Sequence, residues 1–313
     1  MAASDVTVGV IFLAQIFVGS LGNSSLLLHF LVLDFTGGRV RHTDLILKHL
    51  TVANLLTLLC RGVPQTVAAL GMKVFLSDLE CKLLFYVHRV GRGVSIGSTC
   101  LLSSFQVITI SPGDSRWAAL KEKAPRYMCS STRLNWILYG LLNVMFPVVM
   151  TGKWSHRNIT CLKDFGYCSA ARHDTSTDSL FAALLSFPDA VCVGLMLWSS
   201  SSMVLILHRH KQRMQHVHKV RSPKSSPESR ATKTILLLVS TFVSFYTLSC
   251  IFQIFVTVNH NPNWLMVNVG AIVSGCFPTI SPFLLMRWYS RASRLCLTWI
   301  RNRKIPDMRN CKL

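Results

Sequence analysis

Seven long apolar runs constrain this chain more than any other feature. A helix needs about 20 apolar residues to cross a bilayer, and qualifying runs lie at 6–33, 45–70, 81–110, 134–151, 178–207, 234–258 and 264–286. The third is weakest in its first half, where His88, Arg89 and Arg92 interrupt it. In hydrocarbon a helix satisfies its own backbone polar groups, so runs of this length predict an all-α membrane protein. The expected fold is a seven-transmembrane helix bundle with its N-terminus outside, forming one multi-pass domain over 1–313. The opening "MAASDVTVGVIFLAQ" has no basic n-region, and its apolar run is too long for a cleaved signal peptide, so it reads as a retained signal-anchor.

Charge tests that topology. The 313 residues carry 33 Lys and Arg against 13 Asp and Glu, a formal net charge of +20, with a mean hydropathy of +0.41. Such a surplus suits nucleic acid or an anionic membrane surface, and the long apolar runs decide for the bilayer and against nucleic acid. With the N-terminus outside, the inner segments are 34–44, 111–133, 208–233 and 287–313. They hold two, five, eight and eight Lys and Arg, or 23 of the 33, whereas the outer segments hold five and the spans or their edges five. That is the positive-inside pattern. Removing the third span would put 111–133 and the basic tail on opposite sides and destroy it.

The stretch "FQVITISPGDSRWAALKEK" (105–123) marks one crossing point. Pro112 and Gly113 should end the third helix, and Arg116, Lys121 and Lys123 would then sit at the inner lipid surface. On the outer side, Asn158-Ile159-Thr160 is a glycosylation sequon in an accessible loop, whereas Asn23-Ser24-Ser25 lies inside the first span. The 11 cysteines show no zinc-type spacing. Cys81 opens the third span at its outer end, and Cys161 and Cys168 lie on the long outer loop. In an oxidising compartment either could bridge to Cys81. Cysteines 60, 100, 192, 250 and 276 fall within spans and read as packing residues.

Charge inside a span is expensive and points to function. On a helical wheel Phe85, His88, Arg89 and Arg92 fall within about 100° of one another, and Ser95 and Thr99 continue the face inward. Two guanidiniums and an imidazole need a counter-charge. Asp189, after Pro188 in the fifth span, is the best intramembrane acid, and an anionic ligand could supply the rest. The competing reading has Arg89 and Arg92 snorkelling to the surface. Lys48 should reach lipid phosphate at the inner edge, while Asn23 and Asn54, at similar depth, should hydrogen-bond between helices.

Pro147, Pro188, Pro278 and Pro282 each remove a backbone hydrogen bond and should bend their helices. After the last span, "RWYSRASRLCLTWIRNRK" places Trp288, Leu295, Cys296, Trp299 and Ile300 on one arc and arginines on the other. That predicts an amphipathic helix on the inner surface, with Cys296 a candidate for palmitoylation. The basic loop 208–233 should begin and end as extensions of the flanking helices. Its His208, His210, His216 and His218 are interleaved with Lys and Arg and read as solvated, so no metal or cofactor is expected. No catalytic constellation is present, and the chain does not read as an enzyme.

Seven spans, a cysteine opening the third and an amphipathic tail resemble the G-protein-coupled receptor plan. The rhodopsin-like signatures are missing: "QVITISP" stands where Asp-Arg-Tyr would, and "FPTISPF" where Asn-Pro-x-x-Tyr would. Instead, "DLILKHLTVAN", "FYVHRVGRGVSIGSTCLLSSFQVITISP", "SSPESRATKTILLLVSTFVSFYTLSCIFQ" and "FPTISPFLLM" resemble the vomeronasal type-1 receptors over nearly the whole chain. The resemblance implies a chemosensory pheromone receptor at the plasma membrane that signals through an inhibitory-class heterotrimeric G protein. On the match to "GYCSA" it also implies a Cys81–Cys168 bridge.

The expected mechanism has a small molecule, anionic or steroid-like, entering from outside and contacting Phe85, His88, Arg89, Arg92 and Asp189. Inner loops 111–133 and 208–233 would then meet the G protein, with Thr109, Ser111 and Arg116 as the polar groups available to an inner lock. The alternatives are a small transporter or channel with a basic interior path, a decayed receptor without ligand, and a structural membrane subunit. The chain shows no inverted repeat of the kind transporters carry.

Overall fold

The computed structural model describes residues 3–36, 42–72, 76–111, 118–144, 146–152, 162–164, 168–171, 175–217, 227–258 and 264–303. In chain order these form α1 (Ala3–Phe35), α2 (His42–Ala69), α3 (Asp78–Ile110), α4 (Ala118–Leu142) and the one-turn α5 (Phe146–Val149). Three short strands follow, β1 (Met150–Gly152), β2 (Leu162–Asp164) and β3 (Cys168–Ala171). The chain then continues through α6 (Thr175–Val217), α7 (Pro227–Val258) and α8 (Trp264–Arg303).

Six helices among the described residues, α1, α2, α3, α6, α7 and α8, are long and apolar enough to cross a bilayer. Their large apolar side chains divide between two environments. Phe30, Ile46, Leu50, Ile96, Met196, Leu238 and Phe277 fill a common core. Phe17, Leu21, Phe35, Leu195, Trp198 and Leu205 project outward, as lipid-facing residues must.

The seventh long helix, α4, departs from the sequence expectation of a span over 134–151. It starts at Ala118 and stops at Leu142. Lys123, Tyr127 and Arg133 lie within it, so its apolar part is short. Asn143 ends it: its backbone N–H and its side-chain Nδ2 both donate to the Tyr139 carbonyl, at 3.2 and 2.8 Å. Pro147, expected to bend the fourth span, instead lies in α5, after that break.

Helix α3 is the central element, packed against α2, α4, α6 and α7. It opens with a capping box. The Glu80 carboxylate accepts from the Ser77 backbone N–H (2.7 Å), and the Ser77 hydroxyl accepts from the Glu80 N–H (3.3 Å), which satisfies two donors that a helix start leaves orphaned. It ends at Ile110 with Ser111 as cap, where the sequence placed the stop. Its glycines admit close neighbours. A Cβ at Gly93 would lie 2.0 Å from Tyr139 Cδ1, and one at Gly97 2.0 Å from Asn135 Oδ1, both on α4. Helix α2 closes with Gly71 at φ 71°, a left-handed conformation that suits glycine.

The strands are an addition to the expected helical bundle. They form one antiparallel sheet in the order β1-β3-β2, with Gly152 opposite Cys168 and Asp164 opposite Ser169. Cys168 is bonded to Cys81, with Cα atoms 5.9 Å apart, so the sheet is anchored to the first turn of α3. Cys161 and the sequon residue Asn158 lie outside the described residues. At the opposite end, α6 runs on to Val217 and α7 starts at Pro227, the helical extensions expected for 208–233. The α8 backbone stays helical from Trp264 to Arg303, across the boundary expected near 286. The side chains beyond Arg287, including Cys296, lie outside the description.

One proline effect reaches the interior. Pro282 cannot donate to the carbonyl of Pro278, four residues earlier. Asn23 Nδ2 donates to that carbonyl instead (2.8 Å), so α1 repairs a defect in α8. The expected Asn23–Asn54 contact is present but long, at 3.5 Å. The short bonds of Asn54 go elsewhere: its Nδ2 to Ser281 Oγ (2.9 Å), and its Oδ1 from Ser95 Oγ (2.9 Å). Lys48 does not stand alone at the lipid edge either, because it pairs with Asp34 of α1.

Candidate ligand-binding site

The charged face of α3 lies about 16 Å along the helix from the Cys81–Cys168 bridge, at Arg92. The residues that share this face on the wheel do not share partners. Phe85 packs against the disulfide. His88 is buried against α2, with Nδ1 hydrogen-bonded to the Thr57 carbonyl (3.3 Å). Arg92 turns toward α7, where its guanidinium donates to Ser249 Oγ (3.4 Å) and Cys250 Sγ (3.8 Å) and lies 4.9 Å from the centroid of the Tyr246 ring. Arg89, further round the helix, lines a polar cavity with Arg92 and Asp189.

Asp189 lines the same polar cavity as Arg89 and Arg92, and it is engaged by two tyrosines that sequence reasoning missed. Tyr139 of α4 donates to Oδ1 (2.9 Å) and Tyr246 of α7 to Oδ2 (2.7 Å). The acid thus ties α4, α6 and α7 together in front of α3. The available signal was the tyrosines themselves, since a phenol buried in an apolar span needs a partner for its hydroxyl.

Two small cavities adjoin these groups, and Arg92 lines both. The larger, about 30 Å³, lies between α3, α7 and α8. Its walls are largely apolar or aromatic, including Ile96, Phe242, Phe245, Tyr246 and Phe277, with Ser95, Ser249 and Ser274 as polar points. Phe242 stacks on Tyr246 (5.7 Å, 10°) and meets Phe277 edge-on (4.6 Å, 90°). The smaller, about 10 Å³, is polar and lined by Arg89, Arg92, Gly93, Tyr139, Leu142, Asn143 and Asp189. There the buried Asn143 Oδ1 accepts no hydrogen bond from the described residues. An aromatic chamber beside a cationic one suits a molecule with an apolar body and a polar end.

The model of the vomeronasal organ pheromone receptor family matches residues 6–298. The chain belongs to that family. Vomeronasal type-1 receptor 4 of Homo sapiens is 58% identical over 302 residues, covering 96% of this chain and all of that protein. Vomeronasal type-1 receptor 3 of Homo sapiens is 50% identical over 297 residues, 94% of this chain and 95% of that one. More distantly, olfactory receptor class A-like protein 1 of Danio rerio is 30% identical over 305 residues, 96% of each. The protein is therefore a chemosensory receptor rather than an enzyme, and a multi-pass protein of the plasma membrane. The transporter, channel and structural-subunit readings give way to this membership.

Proposed function

We propose that this receptor detects a small pheromone-like molecule in the chamber between α3, α7 and α8 and activates a heterotrimeric G protein of the inhibitory class at the opposite end of the bundle. The observation that carries the reading is the position of Arg92. It is the cation of the aromatic chamber and also a wall of the polar one. A ligand whose apolar body lies among Phe242, Phe245 and Phe277 would bring an anionic or hydrogen-bond-accepting end to Arg92, with Arg89 beyond it. A steroid-like skeleton is one body of this kind. Asp189 already opposes one of the two arginines, so the site favours one negative charge over two. His88 and Phe85 shape the α2 side and the disulfide end without facing this chamber.

The topology that goes with this reading places the sheet and the disulfide outside, with Asn158 glycosylated on the same side. The ends of α3, α6 and α7 near Ser111, Val217 and Pro227 lie inside, facing the G protein. The tail after 287 lies on the inner lipid surface, where Cys296 is the palmitoylation candidate. Ligand shifts the bundle only through its different affinities for two arrangements, and Arg92, bonded across to α7, is placed to sense that difference.

The test is G-protein activation in cells displaying the receptor, screened with small volatile and anionic steroid-like molecules, with Arg92→Ala alongside. Loss of the response in the variant at unchanged surface display is the expected result. A response that survives in Arg92→Ala removes Arg92 from the site. Silence from a well-displayed wild type across the panel favours a receptor that has lost its ligand.

A further inference from the structure

The aromatic chamber is contracted. At about 30 Å³ it has room for about two waters, whereas small-molecule sites commonly run to ~300–1,000 Å³. A ligand of any size must therefore move a wall, and the walls are not equally free. Phe242, Phe245, Ile96 and Phe277 are held by packing alone. Tyr246 is also tied, through its hydroxyl, to Asp189, which is not itself a chamber residue. The Tyr246 ring in turn carries the Arg92 guanidinium on its face and Phe242 stacked beside it. One hydrogen bond thus fixes an aromatic wall and the cation of the site together. Asp189 follows Pro188, whose missing N–H interrupts the α6 hydrogen-bond ladder at that turn, so the tether starts from a locally loosened helix.

We propose that Asp189 is a positioning residue of the ligand site: through its hydrogen bond from Tyr246 it holds the chamber contracted, and release of that bond opens the chamber to a small molecule. The inference rests on the reading of this chamber as the ligand site. It assigns Asp189 a different part from direct ligand contact. The second tyrosine, Tyr139, bonds the other carboxylate oxygen from α4 and lies outside the aromatic chamber, so it provides an internal control.

The test needs no ligand. Ser249 lines the chamber and is 2% exposed, so Ser249→Cys introduces a thiol that the contracted state protects. The full-length protein in lipid nanodiscs is treated with a small water-soluble methanethiosulfonate, and the rate at that position is read by peptide mass. Tyr246→Phe keeps the ring and removes the tether, and it should raise the rate by roughly tenfold or more, the scale set by one hydrogen bond to a charged acceptor. Asp189→Leu should do the same. Asp189→Asn keeps one carbonyl oxygen for the two phenols, so its rate should fall between those of the Ser249→Cys background and Asp189→Leu. Tyr139→Phe should leave the rate unchanged.

Equal rates in all variants, or a Tyr139→Phe rate as fast as that of Tyr246→Phe, would overturn the proposal, the second because general loosening of the bundle would then explain the exposure. If Asp189→Leu does not fold, Tyr246→Phe against Tyr139→Phe still decides. The two readings fail separately. The expected labelling pattern without any ligand response would leave the tether standing and remove the ligand site. An Arg92-dependent response with flat labelling would do the reverse.

Discussion

Two buried polar regions cross this bundle at neighbouring depths, and they are built differently. The first is neutral. Asn23, Asn54, Ser95 and Ser281, from α1, α2, α3 and α8, are all buried, and their amides and hydroxyls bond one another or the carbonyl that Pro282 leaves free. The second is charged: Arg89 and Arg92 of α3, Asp189 of α6, and the tyrosines of α4 and α7. It encloses space, and among the described residues nothing donates to Asn143 Oδ1. Both lie in a low-dielectric interior where unmet polar groups are costly. A closed neutral network fixes one arrangement of four helices. A charged cluster with slack can be rearranged by a ligand that brings its own polar atoms. The first region is the pin of the bundle, and the second is its adjustable part.

The largest effect should come from forcing the adjustable region apart. Gly93→Ala would place a methyl 2.0 Å from Tyr139 Cδ1 and within 2.5 Å of two other ring atoms. The ring is buried at 3% exposure, so it must move and take its hydroxyl off Asp189. Overpacking of this kind costs about 1–3 kcal/mol, and the lost hydrogen bond adds to it. Gly194→Ala is the control, since a Cβ there meets none of the described residues within 4 Å. Thermal unfolding in detergent should separate the two clearly. Similar melting temperatures would mean that α3 and α4 are not packed through Gly93.

Breaking the pin should cost somewhat less and do so without touching ligand response. Asn54→Leu leaves Ser95 and Ser281 without their partner on α2, for which about 1–3 kcal/mol is the expected loss. Surface display should fall, while the response per displayed receptor keeps its potency. A large potency shift at equal display would join the two regions into one and defeat the comparison. Smaller again, and of opposite character, is Arg92→Lys. The charge stays, but the flat guanidinium over Tyr246 and its reach to Ser249 are lost. Stability should hold, while ligand potency drops by roughly fivefold, the scale of one cation–π contact.

The sequence conveyed these regions unequally. Helix number, the Ser111 stop and the two asparagines were legible because run length, a proline-glycine break and a lone amide in an apolar span are local signals. The pairing of Cys168 to Cys81 followed from the family resemblance. The end of α4 was hidden: 134–151 reads as one apolar run, and only the Asn143 turn, bonded back to Tyr139, cuts it. The wheel put His88, Arg89 and Arg92 on one face, but it could not say that α2 takes His88 while α7 takes Arg92. The tyrosines that hold Asp189 come from two other helices, a tertiary fact with no spacing to reveal it. Lys48 was assigned to lipid because Asp34, its partner, lies on a different helix.

The finest test of the comparison is Asn143→Leu, where two terms oppose. The side chain donates one hydrogen bond to the Tyr139 carbonyl, a group that the Asn143 backbone N–H already serves. Its Oδ1, meanwhile, is buried in the chamber of two guanidiniums, with none of the described residues donating to it. Losing the first costs about 0.5–1.5 kcal/mol, and removing an orphaned acceptor returns about 1–3 kcal/mol. The variant should therefore melt within about 1 kcal/mol of wild type or slightly above it, which no residue of the neutral network should match. Asn143→Asp sharpens the point, because it brings a second carboxylate to the chamber of Arg89 and Arg92 but sets one of its oxygens against the Tyr139 carbonyl, to which the amide donated. That variant should respond less well to anionic ligands than Asn143→Leu, since the chamber would then have no net positive charge to offer. If Asn143→Leu instead unfolds as early as Asn54→Leu, the oxygen has a donor in the folded receptor, and the charged region is as closed as the neutral one.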